Sequence, residues 1–360
     1  MPKPMTPRDR VLTTFHRHEP DRVPINYESN SGIDARLKKH FCLRPDDHEG
    51  LRRALAVDFR GVGAPYKGPR LHEDLPGGIS VDDWGMRRRW VEHASGGYWD
   101  FCDWPLKNAT VEEIDARPMP SPDQFDYAAI PDQIRACGDF AVGAGNPGVG
   151  DIINSNGMLR TMEQVLVDMA TDDPAGLRLI DRRTEILLET TRRTLEAGRG
   201  QIDFLWLGED LGSQRGPLIS LPMFRKHIRP RMQRFVDLGK HFGIPVMIHS
   251  CGSSSWAFDD FAEMGIGVVD TLQPEAKDMA PAYLKKRYGD RLAFHGMIST
   301  AGPVANGSVD DTIKDCRATL ETMMPGGGYA FAPTHQLQDN SPTENVVAMY
   351  ETARTCGVYK

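Results

Sequence analysis

The chain has 360 residues, of which 40% are hydrophobic and 26% charged, and it contains 35 glycines and 26 prolines. This composition supplies a large apolar core and many loop positions, which excludes wholesale disorder. The net charge is −7 and no basic run is longer than Arg87–Arg89, so the composition also excludes the basic surface of a nucleic-acid or anionic-membrane binder.

Short apolar or β-branched segments alternate with stretches whose apolar residues recur every three or four positions, which predicts strands separated by helices. The predicted strands are Arg22–Tyr27, Ala56–Val62, Phe140–Gly145, Asp203–Leu207, Pro245–Ile248, Val268–Leu272, Leu292–Phe294 and Tyr329–Ala332. The predicted helices are Leu177–Leu195, Leu221–Phe242, Ser255–Met264, Met279–Tyr288 and Asp310–Met323. Each is long enough to carry the chain back between two parallel strands.

Three helix starts are marked by capping residues. Thr6 precedes Pro7 and predicts a helix there, and Ser220 predicts another. The run Ser341–Glu344 offers an N-cap hydroxyl, a proline at the first helical position and a capping-box glutamate.

Eight strand and helix units without a glycine-rich dinucleotide motif favour a closed α/β barrel of the (β/α)8 TIM type over an open sheet. We expect residues 1–360 to form one such domain. Gly326–Gly328 precedes a strand and is expected to turn the chain rather than hold phosphate.

The stretch from about residue 64 to 135 breaks the alternation and predicts an insertion after the second strand. It holds four of the six tryptophans, and Ile79–Phe101 within it predicts short strands joined by turns. The favoured interpretation is a small satellite core packed on the barrel; the alternative is a lid that gives a ligand aromatic walls.

Polar side chains follow six of the eight predicted strands. In a parallel barrel the chemistry lies just beyond the carboxyl ends of the strands, so these residues predict a pocket on one rim. They are Glu28, Glu209, Asp210, His249, Cys251, Gln273, His295 and His335.

His249 and Cys251 are the sharpest of these signals. Residues two apart in an extended segment project to the same side, so an imidazole and a thiolate can share one ion. This donor pair suits Zn²⁺ better than Mg²⁺ or Ca²⁺. The best third ligand is His335, followed by His295 or Glu209. In the alternative reading Cys251 is a small buried hydrophobe and His249 a hydrogen-bonded rim residue.

The loop after the fourth strand places Glu209 and Asp210 next to each other. Neighbouring carboxylates in a pocket can differ in pKa, so one of them can exchange a proton with a substrate. The alternative is an ion pair with Arg215 that stiffens the loop. Gln214 of the same loop is a candidate substrate contact, and Gln273 and His295 either contact the substrate or support other residues.

Several segments together resemble the uroporphyrinogen decarboxylase superfamily, in the same order along the chain. They are Pro7–Val11, Glu19–Pro24, Gly208–Ser220, His249–Gly252, Phe294–Gly296, Pro325–Tyr329 and Ala332–His335. The resemblance implies a (β/α)8 barrel. True decarboxylases of this superfamily carry arginines after the first strand to hold a polycarboxylate. Asn26–Gly32 has no arginine there and adds the negative Glu28, which disfavours a tetrapyrrole substrate.

The other branch that the chain resembles comprises zinc methyltransferases. They move a methyl group between a small methylated compound (methanol, a methylthiol, a methylamine or a methoxy-aromatic) and a corrinoid protein. Their zinc is held by a His-x-Cys pair and a later cysteine; this sequence has His249 and Cys251, with His335 at the later position. The resemblance therefore implies Zn²⁺, a corrinoid (cobalamin) on a partner protein, a small-molecule methyl donor or acceptor, and a homodimer.

Two alternative functions belong to other classes of protein. A metal-free lyase acting on a different carboxylated substrate would keep Asp210, Gln214 and His335. A binding or scaffolding protein would need neither metal nor turnover, but it would have no use for so many polar residues on one rim.

The segment Met1–Arg10 lacks the apolar stretch of a signal peptide, and no apolar run reaches 18 residues. The cysteines are scattered, which is typical of reduced thiols. We therefore expect a cytoplasmic protein with no membrane partner. The cysteines are Cys42, Cys102, Cys137, Cys251, Cys316 and Cys356.

Overall fold

The structure is a computed structural model that describes residues 5–93 and 96–360. Residues 1–4 of the N-terminal segment, and Ala94 and Ser95 of the predicted insertion, lie outside this part of the chain. The strands are β1 (Phe59–Val62), β2 (Ile79–Val81), β3 (Arg87–His93), β4 (Gly96–Asp103), β5 (Ala141–Gly145), β6 (Phe204–Gly208), β7 (Val246–Ser250), β8 (Val268–Thr271), β9 (Ala293–Ile298) and β10 (Tyr329–Pro333).

Helices follow most strands of the main sheet. They are α1 (Pro7–Phe15), α2 (Ser31–His40), α3 (His48–Ala54), α4 (Val111–Ala116), α5 (Ile130–Cys137), α6 (Ile153–Arg160), α7 (Met162–Thr171), α8 (Pro174–Ala197), α9 (Leu221–Met223), α10 (Arg229–Phe242), α11 (Phe258–Met264), α12 (Pro281–Tyr288), α13 (Pro303–Asn306), α14 (Val309–Met323) and α15 (Thr343–Cys356). Short 3₁₀ turns occupy Pro122–Gln124, Tyr127–Ala129 and Ser255–Ala257.

The main sheet has the order β1-β5-β6-β7-β8-β9-β10, and all its neighbouring strands are parallel. Every residue of β7, β8, β9 and β10 is buried, as expected where one face of a parallel sheet meets helices and the other fills a barrel. The predicted α/β barrel is confirmed, with seven of its strands at the predicted positions.

The prediction of a full first strand over Arg22–Tyr27 is wrong. Ile25 alone forms a parallel bridge, to Phe331. Pro24 has no N–H to donate, and the N–H of Ile25 donates to the Asp58 carboxylate at 2.8 Å instead of to a backbone carbonyl. The segment nevertheless lies between β10 and β1, because Phe331 N donates to Pro24 O and Asp58 N donates to Ile25 O, both at 2.8 Å. It therefore closes the barrel as an irregular eighth strand.

The insertion follows β1, as predicted, and its antiparallel sheet has the order β2-β3-β4. Met86, Leu106 and Ile114 of the insertion are buried against Leu159 of α6 and Leu179 of α8. These side chains form a small satellite core, but the expectation that it packs the four tryptophan rings is not met, since only Trp84 of the four packs against it. Outside it, large aromatic side chains remain about half exposed, namely Trp90, Tyr98, Trp99 and Trp104.

The caps at Thr6 and Ser220 are confirmed, since their hydroxyls accept hydrogen bonds from Asp9 N at 3.1 Å and Met223 N at 3.3 Å. The cap at Ser341 is wrong. Helix α15 begins only at Thr343, and the buried Ser341 hydroxyl has no partner in the described chain. The carbonyl of Ser341 accepts a hydrogen bond from Arg36, which fixes the residue outside the helix.

The predicted helix Leu221–Phe242 is interrupted by a π-helical turn at Phe224–Ile228. Pro230 follows at the start of α10 and has no N–H for a regular helical bond. The wider turn accommodates that missing donor. Within residues 5–93 and 96–360, no helix combines the length and apolarity that crossing a bilayer requires.

Candidate functional site

A row of polar side chains crosses three strands at one level of the barrel. His249 of β7 is the register partner of Asp270 of β8, which in turn pairs with His295 of β9. His249 Nδ1 donates to one oxygen of the Asp270 carboxylate at 2.8 Å, and His295 Nδ1 donates to the other at 2.5 Å. These bonds leave the Nε2 atom of His249 available for another partner.

Burial alone would raise the pKa of Asp270, but the charges and hydrogen bonds of His295 and His249 lower it well below its ordinary value. Burial likewise lowers the pKa of His249, while its hydrogen bond to Asp270 and the neighbouring Cys251 raise it, with a net rise.

His249, Cys251 and His335 form a candidate metal centre. Their ligand atoms all lie within 4.8 Å of one another, and the Nε2 atom of His249 is 3.3 Å from the Sγ atom of Cys251. A tetrahedral Zn²⁺ holds a nitrogen and a sulfur ligand about 3.5 Å apart, given bond lengths of about 2.0 and 2.3 Å. The imidazole and thiol donors thus fit one zinc ion after small side-chain rotations. Partial burial of the His335 ring, followed by the charge of the nearby His249, lowers its pKa, although the residue as a whole is exposed at the mouth of the barrel.

The two other candidates for the third ligand are engaged elsewhere. His295 is fully buried, and its Nε2 lies 3.1 Å from the amide nitrogen of Asn26 while its Nδ1 is bound to Asp270. Glu209 accepts backbone hydrogen bonds from Ile152 at 2.8 Å and Ile153 at 3.1 Å. The geometry therefore favours a supporting role for His295 and leaves His335 as the third donor.

Glu209 and Asp210 have different surroundings. Glu209 is only 1% exposed at the start of α6, and burial, followed by the charge of Asp151, raises its pKa well above the ordinary value. Asp210 accepts hydrogen bonds at 2.7 Å from the Asn154 amide and from the backbone N–H of Cys251. One oxygen of Asp210 lies 3.8 Å from His249 Nε2, so Asp210 borders the metal centre.

The alternative ion pair with Arg215 is wrong for the described chain. Arg215 lies on an exposed turn, and neither Glu209 nor Asp210 pairs with it. Instead of pairing with an arginine, Glu209 accepts hydrogen bonds from the backbone at the start of α6 and Asp210 accepts one from the side chain of Asn154.

Gln214 and Gln273 meet next to Cys251. The Gln214 amide donates to the Gln273 Oε1 atom at 3.2 Å, and the same oxygen accepts the N–H of Gly252 at 2.8 Å. The two glutamines thus connect the loops that follow β6, β7 and β8.

Glu28 lies across the barrel interior from β7, close enough to the row of Asp270, His249 and His295 for their charges to affect it. Burial, followed by the charge of Asp270, raises the pKa of its carboxyl to about 7, although the imidazoles of His295 and His249 oppose the shift. Its carboxyl group forms no hydrogen bond with any described residue and borders two cavities.

Sequence reasoning missed Asp270, although one acid in the middle of the buried segment Val268–Leu272 was a usable signal. It also missed Thr271, whose hydroxyl lies 2.6 Å from His249 Nδ1. Thr271 has a φ of +85°, which is strained for a β-branched residue and is typical of a functional site. No local pattern in the sequence indicates that conformation.

Comparisons with known proteins agree with this architecture. The model of the uroporphyrinogen decarboxylase (URO-D) family matches residues 153–356. A solved methyltransferase from Methanosarcina mazei is 17% identical, with a TM-score of 0.64 over 97% of this chain and 98% of that one. D-allulose 3-epimerase from Methylomonas sp., in complex with D-allulose, gives a TM-score of 0.43 at 13% identity, over 93% of this chain and 96% of that one. A search of curated proteins gave no match.

The structural likeness to the methyltransferase from M. mazei, at 17% identity, describes the fold alone. The family match, by contrast, spans more than half of the 360 residues and includes β6 to β10 with all three candidate metal ligands. The chain therefore belongs to the uroporphyrinogen decarboxylase family.

Proposed function

We propose that the protein is a zinc-dependent methyltransferase. It moves a methyl group between a small O- or S-methylated substrate, such as a methoxy-aromatic compound, and a corrinoid carried by a partner protein. The observation that carries the proposal is the convergence of His249, Cys251 and His335 within 4.8 Å at the open end of the barrel. The overall likeness to a methyltransferase from M. mazei supports this branch of the family.

Different residues of the chain have different roles in the proposed reaction. When bound, Zn²⁺ would supply Lewis-acid chemistry toward the oxygen or sulfur of the substrate. Asp270 fixes the orientation and tautomer of His249 by accepting its Nδ1–H. Asp210, whose carboxylate lies 3.8 Å from His249 Nε2, is better placed than the enclosed Glu209 to exchange a proton with the substrate.

The remaining expectations are part of the same proposal. The corrinoid partner docks over the rim where His335 is exposed, the protein forms a homodimer, and the reaction takes place in the cytoplasm. A metal-free lyase acting on a carboxylated substrate is the alternative, and the metal measurement below separates the two.

The test is the metal content of protein purified without added metal. We expect about one zinc per chain in the wild type and a loss of most of it in His249→Ala and in Cys251→Ala, because each removes one of three ligands. Cys356→Ala, which changes a cysteine at the end of α15, is the control and should keep full zinc.

Turnover is measured with free cob(I)alamin in place of the partner, with methanol, dimethyl sulfide and 2-methoxyphenol as methyl donors. Loss of cob(I)alamin absorbance should require the zinc-loaded wild type. Full metal content in both ligand variants, or a wild type with no zinc, would contradict the proposal.

A further inference from the structure

The barrel interior is incompletely filled on one side. Phe59 and Gly61 of β1 lie on the same face of the strand, and their register partners in β5 are Ala141 and Gly143. Gly145 follows two residues later on the same face. Of these three positions only Gly61 faces open space, because a Cβ at Gly143 would lie 2.3 Å from the Phe204 ring and a Cβ at Gly145 would lie 2.3 Å from Trp206 O. The missing side chain at Gly61 leaves a hole where a barrel is normally packed.

That hole is a cavity of about 210 Å³. An apolar cavity of about 150 Å³ is large enough to bind benzene, so this volume suits one substituted six-membered ring. The rings of Phe59, Phe204 and Trp206 and the side chain of Met247 form its apolar walls. Such walls, with a few polar groups, are typical of sites for small organic ligands.

Backbone hydrogen bonding is sparse on one side of the cavity. On the side away from β5, residues 58–62 lie next to the first extended segment, residues 22–27, which closes the barrel. In the described chain these two stretches share a single backbone hydrogen bond, from Asp58 N to Ile25 O. Gly61 is exposed although it lies within a barrel strand. A second cavity of about 350 Å³, which is also lined by Asn30 and Gln336 of the rim loops, shares Tyr27, Glu28 and Arg52 with the first.

Two ionisable groups stand where the cavities meet. Glu28 has no hydrogen-bond partner for its carboxyl group among the described residues, and it lines both cavities. Arg52 is exposed on α3 and forms no ion pair within the described chain, whereas the adjacent Arg53 pairs with Glu49 at 2.7 Å. Arg52 therefore offers a free guanidinium to an anion in the cavities that it lines.

We propose that the seam between the first extended segment and β1 is a binding subsite for a single-ring organic carboxylate, with the ring in the glycine-lined cavity and the carboxylate on Arg52. The inference rests on the proposed function only in taking this ligand to be the methyl-carrying substrate.

The test uses 4-fluorobenzoate and its neutral analogue 4-fluorobenzamide, with binding followed by ¹⁹F NMR of the full chain. We expect the wild type to bind the anion at least tenfold more tightly than the amide. Arg52→Gln should reduce this preference to less than threefold, whereas the control Arg53→Gln should keep it.

Gly61→Leu should weaken binding of both probes at least tenfold, because a Cβ at Gly61 meets no atom within 4 Å and the side chain can fill the cavity without a clash. Gly63→Leu is the matched control, since Gly63 is equally open but lines a different cavity. Gly61→Val provides a second variant if the leucine variant does not fold.

Unchanged binding in a folded Gly61 variant, an unchanged preference in Arg52→Gln, or no binding to the wild type would overturn the subsite. These outcomes are independent of zinc content. If the chain binds the probe but holds no zinc, the subsite is supported and the methyltransferase proposal is contradicted. If the chain holds zinc but does not bind the probe, the subsite is contradicted and the methyltransferase proposal is not.

Discussion

Asp270 shows how one residue can organise a site without being a ligand itself. It is 2% exposed, and both its carboxylate oxygens are used by imidazoles, one of them that of the candidate ligand His249. Carboxylates that accept the second N–H of a metal-binding histidine fix its tautomer and raise its basicity.

We expect Asp270→Asn to weaken zinc affinity about 10- to 100-fold, because the amide lacks the charge that supports His249. Competition with a chromogenic chelator measures the dissociation constant. Asp259→Asn, which removes an exposed carboxylate paired with Arg287 and Arg291, should leave it unchanged. Equal affinities in the wild type and Asp270→Asn would show that His249 is oriented by other contacts.

At the residue scale, sequence could predict His249 and Cys251 because two residues in one extended segment face the same side whatever surrounds them. It could not predict that Asp270 stands between two histidines, because that contact depends on the register of three strands. Nor could it tell Glu209 from Asp210, since the start of α6 that binds Glu209 is more than fifty residues away in the chain.

At the scale of elements, the loops after β6 and β7 touch backbone to backbone. Ser253 N donates to Ser213 O at 2.8 Å. Gly252 has a φ of +68°, and a Cβ there would lie 2.2 Å from Gly212 O. The close approach of the loop after β6 therefore requires a glycine at position 252.

Gly252→Ala should therefore displace the adjacent Cys251 and lower bound zinc by at least half, with a loss of unfolding free energy of about 2 kcal/mol from backbone strain and steric overlap. Zinc analysis and urea denaturation measure the two effects. Gly216→Ala in the loop after β6, where a Cβ meets nothing within 4 Å, should match the wild type. A Gly252→Ala variant with wild-type zinc and stability would contradict this account of the loops.

At the scale of the whole molecule, closure of the barrel depends on a buried ion cluster around Asp58. This fully buried carboxylate accepts hydrogen bonds from Arg10 of α1 at 2.6 Å, from Arg22 at 2.8 Å and from the backbone of Ile25 at 2.8 Å. Side-chain bonds here replace part of the missing strand ladder.

Asp58→Asn should lower the free energy of unfolding by about 3 to 5 kcal/mol, because it leaves the arginines without their shared counter-charge. Urea denaturation at neutral pH measures the change. The control Asp46→Asn removes an exposed carboxylate 3.5 Å from Arg44 and should change stability by less than about 1 kcal/mol. A similarly small effect at Asp58 would mean that backbone packing alone closes the barrel.

By itself, the sequence determined the alternation of strands and helices, the place of the insertion and the polar rim, because apolar periodicity and strand-end positions are local properties. Only the tertiary structure decided which rim residues meet. The approach of His335 to His249, the row through Asp270, the glycine-lined cavity and the irregular first strand all depend on contacts between segments far apart in the chain. Such contacts follow from strand register and barrel closure, which no single segment encodes.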